Sequence, residues 1–308
     1  MLSRLLRRLT HSVKFRPKRV ARIPSVEISD YPVRPRPRWG HGLPAHPQLA
    51  LELERGRAAF SRLLQGFFTH REALHAIPYT RDRTVPARPF WDNIWFSALD
   101  AASLVALLLD RTPARYFEIG SGHSTMFARY AVHVGGLPTT ITSLDPQPRA
   151  AIDALCDEVV RVPLETCDLR VFDTLVAGDV LFFDGSHRVF TNSDVTAFFF
   201  DVVPRLAPGV LVHIHDIFWP WDYPPTWNEH FYSEQYLLGA MLLSVGPPFR
   251  VILPNFFVCN DGELSAIVRE LFHAPSGAVD IPFSYPGVPG NVPGVSFWLE
   301  TMSLSQAD

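Results

Sequence analysis

Four short stretches of the chain combine residue types that can do chemistry. In Tyr116-Phe117-Glu118-Ile119-Gly120-Ser121-Gly122-His123-Ser124-Thr125 an apolar run ends in a turn with two glycines and then a group of hydroxyls. Gly120 and Gly122 let the backbone, with Ser121 between them, approach a ligand closely, and Ser124 or Thr125 can cap a helix that starts there. Glu118 precedes the first glycine by two residues and is expected at the strand's exit. A carboxylate there repels a pyrophosphate and attracts an ammonium or sulfonium. In the second stretch, Ser143-Leu144-Asp145-Pro146, Asp145 is expected to end the next strand, where it can accept both ribose hydroxyls or cap the following turn. The third, Gly178 to His187, brings Asp184 out of a buried strand at the carboxyl edge, where open α/β sheets bind ligands. The fourth, Pro208 to Phe218, contains His213-Ile214-His215-Asp216, with His215 and Asp216 leaving a neighbouring strand at the same edge.

The cofactor that suits this set is S-adenosylmethionine rather than NAD. The third glycine of the dinucleotide fingerprint is replaced by Thr125, and Glu118 opposes a phosphate. The expected cofactor contacts are Glu118, Gly120, Ser121, Gly122, Ser124, Asp145 and Asp184. For proton removal from an acceptor the candidates are His187, His215 and Asp216, with His215 the first choice, because histidine titrates near neutrality. His213 reads as a core histidine. A divalent metal is a separate option, held by Asp184, His215 and Asp216 from adjacent strand ends. The aromatic loop Phe218–Phe231, which carries Trp219, Trp221, Tyr223 and Trp227 with Asp222, Glu229 and His230, either faces a sugar or aromatic hydroxyl compound or packs as a lid that excludes water.

These residues need a scaffold of alternating elements. Strands are expected at 116–119, 140–144, 158–162, 180–183, 210–215, 250–253 and 296–300. Helices are expected near 124–133, 148–156, 169–176, 192–205 and 232–244. That alternation implies an α/β fold whose seven-stranded sheet is mostly parallel and flanked by helices. Ahead of it, helical periodicity at 48–75, with Leu53, Phe60, Leu63, Leu64 and Phe67 as its buried stripe, and at 92–109 predicts a helical N-terminal extension. The expected boundaries are a basic Pro-rich arm at 1–47, the helical extension at 48–110 packing on the core, and the main domain at 111–303.

Composition narrows the partners. Residues 1–40 hold eleven Lys or Arg against Glu27 and Asp30, leaving seventeen basic and twenty-nine acidic residues, a net of −12, on the remainder. A body that acidic is a poor binder of nucleic acid. Cys156, Cys167 and Cys259 match no zinc or redox spacing, which suggests reduced thiols in the cytoplasm. Residues 1–16, with Leu2, Leu5, Leu6 and Leu9 on one helical face among arginines, read as a frayed basic tail. The alternative is a helix on the inner face of a membrane, or an organelle presequence.

Residues 115–244 resemble a family of bacterial class I methyltransferases often found among polysaccharide and secondary-metabolite genes. The resemblance rests on Glu118–Ser124, 143–146, Asp179–His187, 212–218, Asp222-Tyr223-Pro224, Trp227 and Glu234-Gln235-Tyr236, and is extended by Ser296-Phe297-Trp298. Gly185 departs from the serine common there. The resemblance implies a Rossmann-like domain, S-adenosylmethionine as methyl donor and a small-molecule or glycan acceptor, with O-methylation of a sugar or hydroxylated metabolite expected. It leaves the oligomeric state open. The alternatives are an NAD-dependent oxidoreductase, a metal-dependent hydrolase built on His213-Ile214-His215-Asp216, and a non-catalytic partner that keeps the fold.

Overall fold

The computed structural model describes residues 34–148, 150–274, 278–284 and 293–303, so the expected basic start at 1–16 lies outside the described residues. The chain divides into two units, Met1–Arg36 and Pro37–Asp308, and everything below concerns the second.

The strands are β1 (Arg115–Ile119), β2 (Thr140–Leu144), β3 (Glu158–Val160), β4 (Val180–Phe183), β5 (Leu211–Ile214), β6 (Phe249–Pro254) and β7 (Phe297–Thr301). They form one sheet in the order β3-β2-β1-β4-β5-β7-β6. β1 to β5 run parallel, and β7 is antiparallel to both β5 and β6. Strands β4 and β5 are buried at every residue, which explains their unbroken apolar runs: both sheet faces are covered. Because side chains alternate, Tyr116, Phe182, Leu211 and Trp298 fill one core, and Phe117, Leu181, Phe183 and Phe297 fill the other.

The helices preceding the sheet are α1 (Pro47–Gly66), continued by a 3₁₀ turn into α2 (Arg71–His75), and α3 (Ala98–Arg111). Leu53, Phe60, Leu64 and Phe67 are buried as the periodicity predicts, while Leu63 is half-buried. Phe60, Leu64 and Phe67 join the same core as α3 and α4 (His123–Gly135). α3 is buried from Ala98 to Leu108. It starts later than the expected 92, because Asn93 folds the preceding residues into a turn: its side chain donates to Phe90 O (2.9 Å) and accepts from Phe96 N (2.8 Å).

Three expected helices are corrected. Over 148–156 there is only a 3₁₀ turn, Asp153–Leu155, since Pro146 and Pro148 remove backbone donors at its start. Over 169–176 a 3₁₀ helix, Leu169–Thr174, takes its place. Over 192–205 an α turn, a π turn and a 3₁₀ turn follow one another, and the widened middle buries Phe198, Phe199 and Val202. The helix expected at 232–244 is present as α5 (Glu234–Leu242). Two helices had no sequence expectation: α6 (Asn255–Asn260) and α7 (Gly262–Phe272), the latter capped by Asp261, which accepts from Glu263 N and Leu264 N. Among the described residues no helix is long and apolar enough to cross a membrane.

Candidate active site

The turn after β1 is forced by close approach. Gly120 has φ +80°, and a Cβ there would lie 1.9 Å from the carbonyl oxygen of Asp184, so β1 and β4 meet too closely for a side chain. Gly122 faces open space instead: nothing lies within 4 Å of where its Cβ would be. Backbone bonds from Gly120 N to Leu144 O (3.1 Å) and from Asp184 N to Ile119 O (2.9 Å) bring the ends of β2, β1 and β4 together. Asp145 then braces the turn, accepting from Ser121 N (2.8 Å) with one oxygen and from Gln147 N (2.7 Å) with the other. The Ser121 and Ser143 hydroxyls hydrogen-bond at 2.8 Å.

This turn opens onto a cavity of about 730 Å³, lined among others by Gly120, Ser121, Gly122, Ser124, Asp145, Asp184, Trp95 and Phe96. Its described lining includes the carboxylates Asp145, Glu165, Asp184 and Asp194 and no Lys or Arg. His123 adds no positive charge, because burial, and secondarily Arg81, push its imidazole down. The size is that of a small-molecule site, and the charge suits a cation rather than a pyrophosphate.

Glu118 is a correction. β1 ends at Ile119 as expected, and Glu118, one residue before that end, takes the face with Tyr116 and lies level with Phe182. It is fully buried and does not line the cavity. Tyr116 Oη donates to one oxygen (3.0 Å), and Thr125 Oγ1 donates to the other through a short bond while accepting from Gly122 N (3.1 Å). Burial is the largest influence and pushes this carboxyl up to about 7, against the hydroxyl bonds that lower it. Glu118 therefore shapes the glycine turn from behind.

Beyond Asp184 lies a second cluster. His187 and Asp216, following β4 and β5, are non-glycine residues in the left-handed region, at φ +61° and +59°. Such strain concentrates at functional sites. His187 Nε2 lies 3.2 Å from Asp184 and 3.4 Å from Asp216, and its Nδ1 makes a short bond to the fully buried Glu234 at the start of α5. Ser233 N also donates to His187 O (2.7 Å). Burial opposes charge on His187, but Glu234, Asp184 and Asp216 outweigh it and hold the imidazole well above its ordinary range. His215 Nδ1 is 3.4 Å from Asp216 and 3.8 Å from Asp184, and its Nε2 is 3.4 Å from Asp100. Burial again opposes, yet these carboxylates raise it to about 9.

The set that could hold a metal is Asp184, His187 and Asp216, whose ligand atoms all lie within 4.8 Å of one another. In this set His187 takes the place expected for His215, whose Nε2 faces Asp100 while its Nδ1 stays 3.4 Å from Asp216 and 3.8 Å from Asp184. His213 cannot assist, because its Nε2 meets Ser296 Oγ (2.5 Å) and its ring stacks on Trp298 at 4.0 Å. That removes the paired-histidine hydrolase. The aromatic loop after β5 is packed: Trp219, Tyr223 and Asp222 are buried, and Phe218 is ringed by Tyr223, Trp227 and Phe256. Asp222 accepts from the backbone of Arg38 and Trp39 and from Tyr236 Oη (2.9 Å), tying the loop to the residues before α1.

Sequence reasoning missed Asp100, gave Glu234 no role and overlooked Trp95 and Phe96. Asp100 accepts from Ser296 N (2.7 Å), Val295 N (2.9 Å), Asn255 Nδ2 (2.8 Å) and Ser97 Oγ (2.6 Å). The readable signal was one carboxylate near the start of an otherwise apolar run, Ala98 to Leu109.

Residues 117–217 match the model of a methyltransferase-domain family. No curated protein matches the chain. Among solved structures it is similar to the SAH-bound methyltransferase PaMTH1 of Podospora anserina, at 15% identity and TM-score 0.40, covering 86% of this chain and 100% of that one. It is similar to the O-methyltransferase TomG of Streptomyces achromogenes in complex with SAM, at 15% identity and TM-score 0.33, covering 84% and 99%. A third is an O-methyltransferase of Bacillus cereus in complex with SAH, at 15% identity and TM-score 0.34, covering 82% and 97%.

Proposed function

We propose that this chain is a class I S-adenosylmethionine-dependent methyltransferase, a reading supported by the methyltransferase-domain match over residues 117–217, and that it methylates a hydroxyl oxygen of a small ring compound, a sugar or a hydroxylated metabolite. The observation that carries the reading is the glycine-turn cavity lined by four carboxylates and no cationic side chain, with two histidines just beyond Asp184. An NAD-dependent oxidoreductase would need compensation for a pyrophosphate, which this lining does not offer.

The cofactor supplies an electrophilic methyl group already activated by its positive sulfur. The chain's own residues bind, orient and manage a proton. Gly122 leaves room for the ligand, and Ser121 and Ser124 line the cavity beside it. Asp145 uses one lone pair on each oxygen for Ser121 N and Gln147 N and retains acceptor capacity for a ribose. Asp184 faces the cavity with its side chain about one-third exposed, so it can attract positive charge there.

Before ligand arrives, the surrounding carboxylates favour the protonated form of both His187 and His215. A cation held at Asp184 shares the carboxylate that keeps those rings charged, and so lowers their hold on the proton. His215 is the easier base of the two: its carboxylate contacts are 3.4–3.8 Å, whereas His187 is clamped on both ring nitrogens. We assign His215 Nδ1 to accept the acceptor's proton, with Asp216 beside it and His187 fixing Asp184 and Asp216. A divalent ion at Asp184, His187 and Asp216 would supply Lewis acidity toward the same hydroxyl.

The test is calorimetry with S-adenosylhomocysteine, followed by incubation with labelled S-adenosylmethionine and a panel of hydroxylated rings. Micromolar binding is expected, weakened at least about tenfold by Asp145→Ala, with label appearing on an acceptor oxygen. Absence of binding to the folded wild type refutes the assignment.

A further inference from the structure

We infer that Asp100, carried by α3 outside the matched methyltransferase domain, is a positioning residue for this site: it holds the His215 ring through Nε2, so that Nδ1 is presented to Asp184 and Asp216, where the acceptor's proton is taken. The inference rests on the methyltransferase reading and gives the helical extension before the sheet a part in the reaction.

The carboxylate is fixed by donors from three separate segments. Oδ1 accepts from Ser296 N (2.7 Å), Asn255 Nδ2 (2.8 Å) and Val295 N (2.9 Å), which occupies that oxygen. Oδ2 accepts from Ser97 Oγ (2.6 Å) and shares Val295 N (3.0 Å), and it is this oxygen that lies 3.4 Å from His215 Nε2. Both side chains are buried, and Nε2 itself makes no well-aligned hydrogen bond. A buried ring nitrogen needs a partner, and Asp100 is the acceptor it faces. Hydrogen bonds of catalytic groups tighten when the ligands are in place.

The surroundings of the ring agree. Phe96 and Phe182 lie against it, with centroids 5.4 Å and 6.4 Å away, and neither side chain offers a hydrogen bond to a ring nitrogen. Among the described residues its close charged neighbours are Asp100 on Nε2, and Asp216 (3.4 Å) and Asp184 (3.8 Å) on Nδ1. A carboxylate behind one ring nitrogen keeps a hydrogen there and leaves the other nitrogen to take a proton from the substrate. A neutral amide in the same place donates to Nε2 instead and moves the ring hydrogen to Nδ1. A purely structural Asp100 would hold Val295, Ser296 and Asn255 and leave the tautomer of the ring alone.

The experiment uses the full chain with isotope-labelled histidine, saturated with S-adenosylhomocysteine, and reads the His215 ring by long-range proton–nitrogen correlation NMR, assigned with His215→Gln. An exchange-protected hydrogen on Nε2 is expected in the wild type and in Asn255→Ala, and its transfer to Nδ1 in Asp100→Asn. Asn255→Ala removes a donor to the far oxygen of Asp100, so it separates lost stability from lost positioning. With labelled S-adenosylmethionine and catechol or methyl α-glucopyranoside as acceptor, kcat should fall about 100-fold or more in Asp100→Asn and less than about threefold in Asn255→Ala. KM and S-adenosylhomocysteine affinity should stay within about twofold in both. A wild-type Nε2 without a protected hydrogen, an Asp100→Asn ring unchanged from wild type, or the same ring change in Asn255→Ala each overturns the inference; the first needs no variant to fold, and none needs an acceptor. Failure of the wild type to bind S-adenosylhomocysteine at all would instead sink the methyltransferase reading.

Discussion

In the proposed assignment the site has a donor side at the glycine turn and an acceptor side at the histidine cluster beyond Asp184, and the two are built by different means. The donor end is made within one stretch of chain: from Glu118 to Gln147 the turn, its brace and its backing hydroxyls bond to one another across two adjacent strands. The proposed acceptor side, the buried cluster behind Asp184, gathers Asp100 from before the sheet, His187 and Asp216 from two strand ends, Glu234 from α5 and Val295 and Ser296 from the entry to β7. A locally closed unit holds its shape through backbone sterics. An assembled one holds it through buried charge, and depends on every segment arriving. The two ends should therefore break differently.

At the donor end the largest effect is expected from Gly120→Val. The added Cβ meets the Asp184 carbonyl 1.9 Å away, in a backbone conformation with φ +80° that a β-branched residue resists. S-adenosylhomocysteine affinity should fall about 100-fold or more by calorimetry. Retained binding would mean the turn is not the cradle.

The acceptor end should break through stability first. Asp100→Ala leaves the backbone donors of Val295 and Ser296, the Asn255 amide and the charged His215 without their carboxylate. The Asp100 carboxyl itself lies near 2, since His215, Ser97 and Asn255 outweigh a burial that would raise it. Urea unfolding should show a loss of ~3–5 kcal/mol, typical of an orphaned buried charge network. A loss under ~1 kcal/mol would mean this end is not held by charge.

The carboxylate behind the glycine turn sharpens the contrast through pH. The folded carboxyl of Glu118 titrates at about 7 against an ordinary 4.5, so between those values the folded protein binds more protons than the unfolded chain. Its contribution is fully present below pH 4.5 and lost as pH rises through 7, an interval worth ~3 kcal/mol. Glu234, also pushed up to about 7 by burial, acts with the same sign. Glu118→Gln should therefore remove about that much of the decline in stability between pH 5 and pH 8, leaving the share due to Glu234. An unchanged slope on urea titration would show that Glu118 ionises freely.

What was legible follows the same division. The mostly parallel sheet, all seven strands and the glycine turn can be read from apolar runs and two glycines, because those signals are local. Glu118 was placed beside the right turn but facing the ligand, whereas strand alternation turns it inward onto Tyr116 and Thr125. The metal-compatible set shifted from His215 to His187 because ring direction depends on Asp100 and Glu234, 115 and 47 residues away in sequence. The irregular helix over 192–205 was unreadable in detail, because packing of Phe198 against Phe183, not propensity, sets its pitch.

The smallest expected effect tests which wall faces the acceptor. Phe231, 45% exposed at the end of the aromatic loop, is the one large apolar side chain between Phe218 and Tyr232 that the described structure leaves so open. Tyr223, in the same loop, is buried with rings of Phe218, Tyr232 and Tyr236 around it. If the loop is a packed lid, Phe231→Ser changes stability by no more than ~0.5 kcal/mol and leaves KM for the acceptor unchanged, while Tyr223→Leu lowers stability by ~1–3 kcal/mol through the emptied ring space and the Gln235 N bond it loses. If the loop instead grips the acceptor, Phe231→Ser raises KM at constant stability, and the proposed division between donor side and acceptor side must be redrawn around the lid.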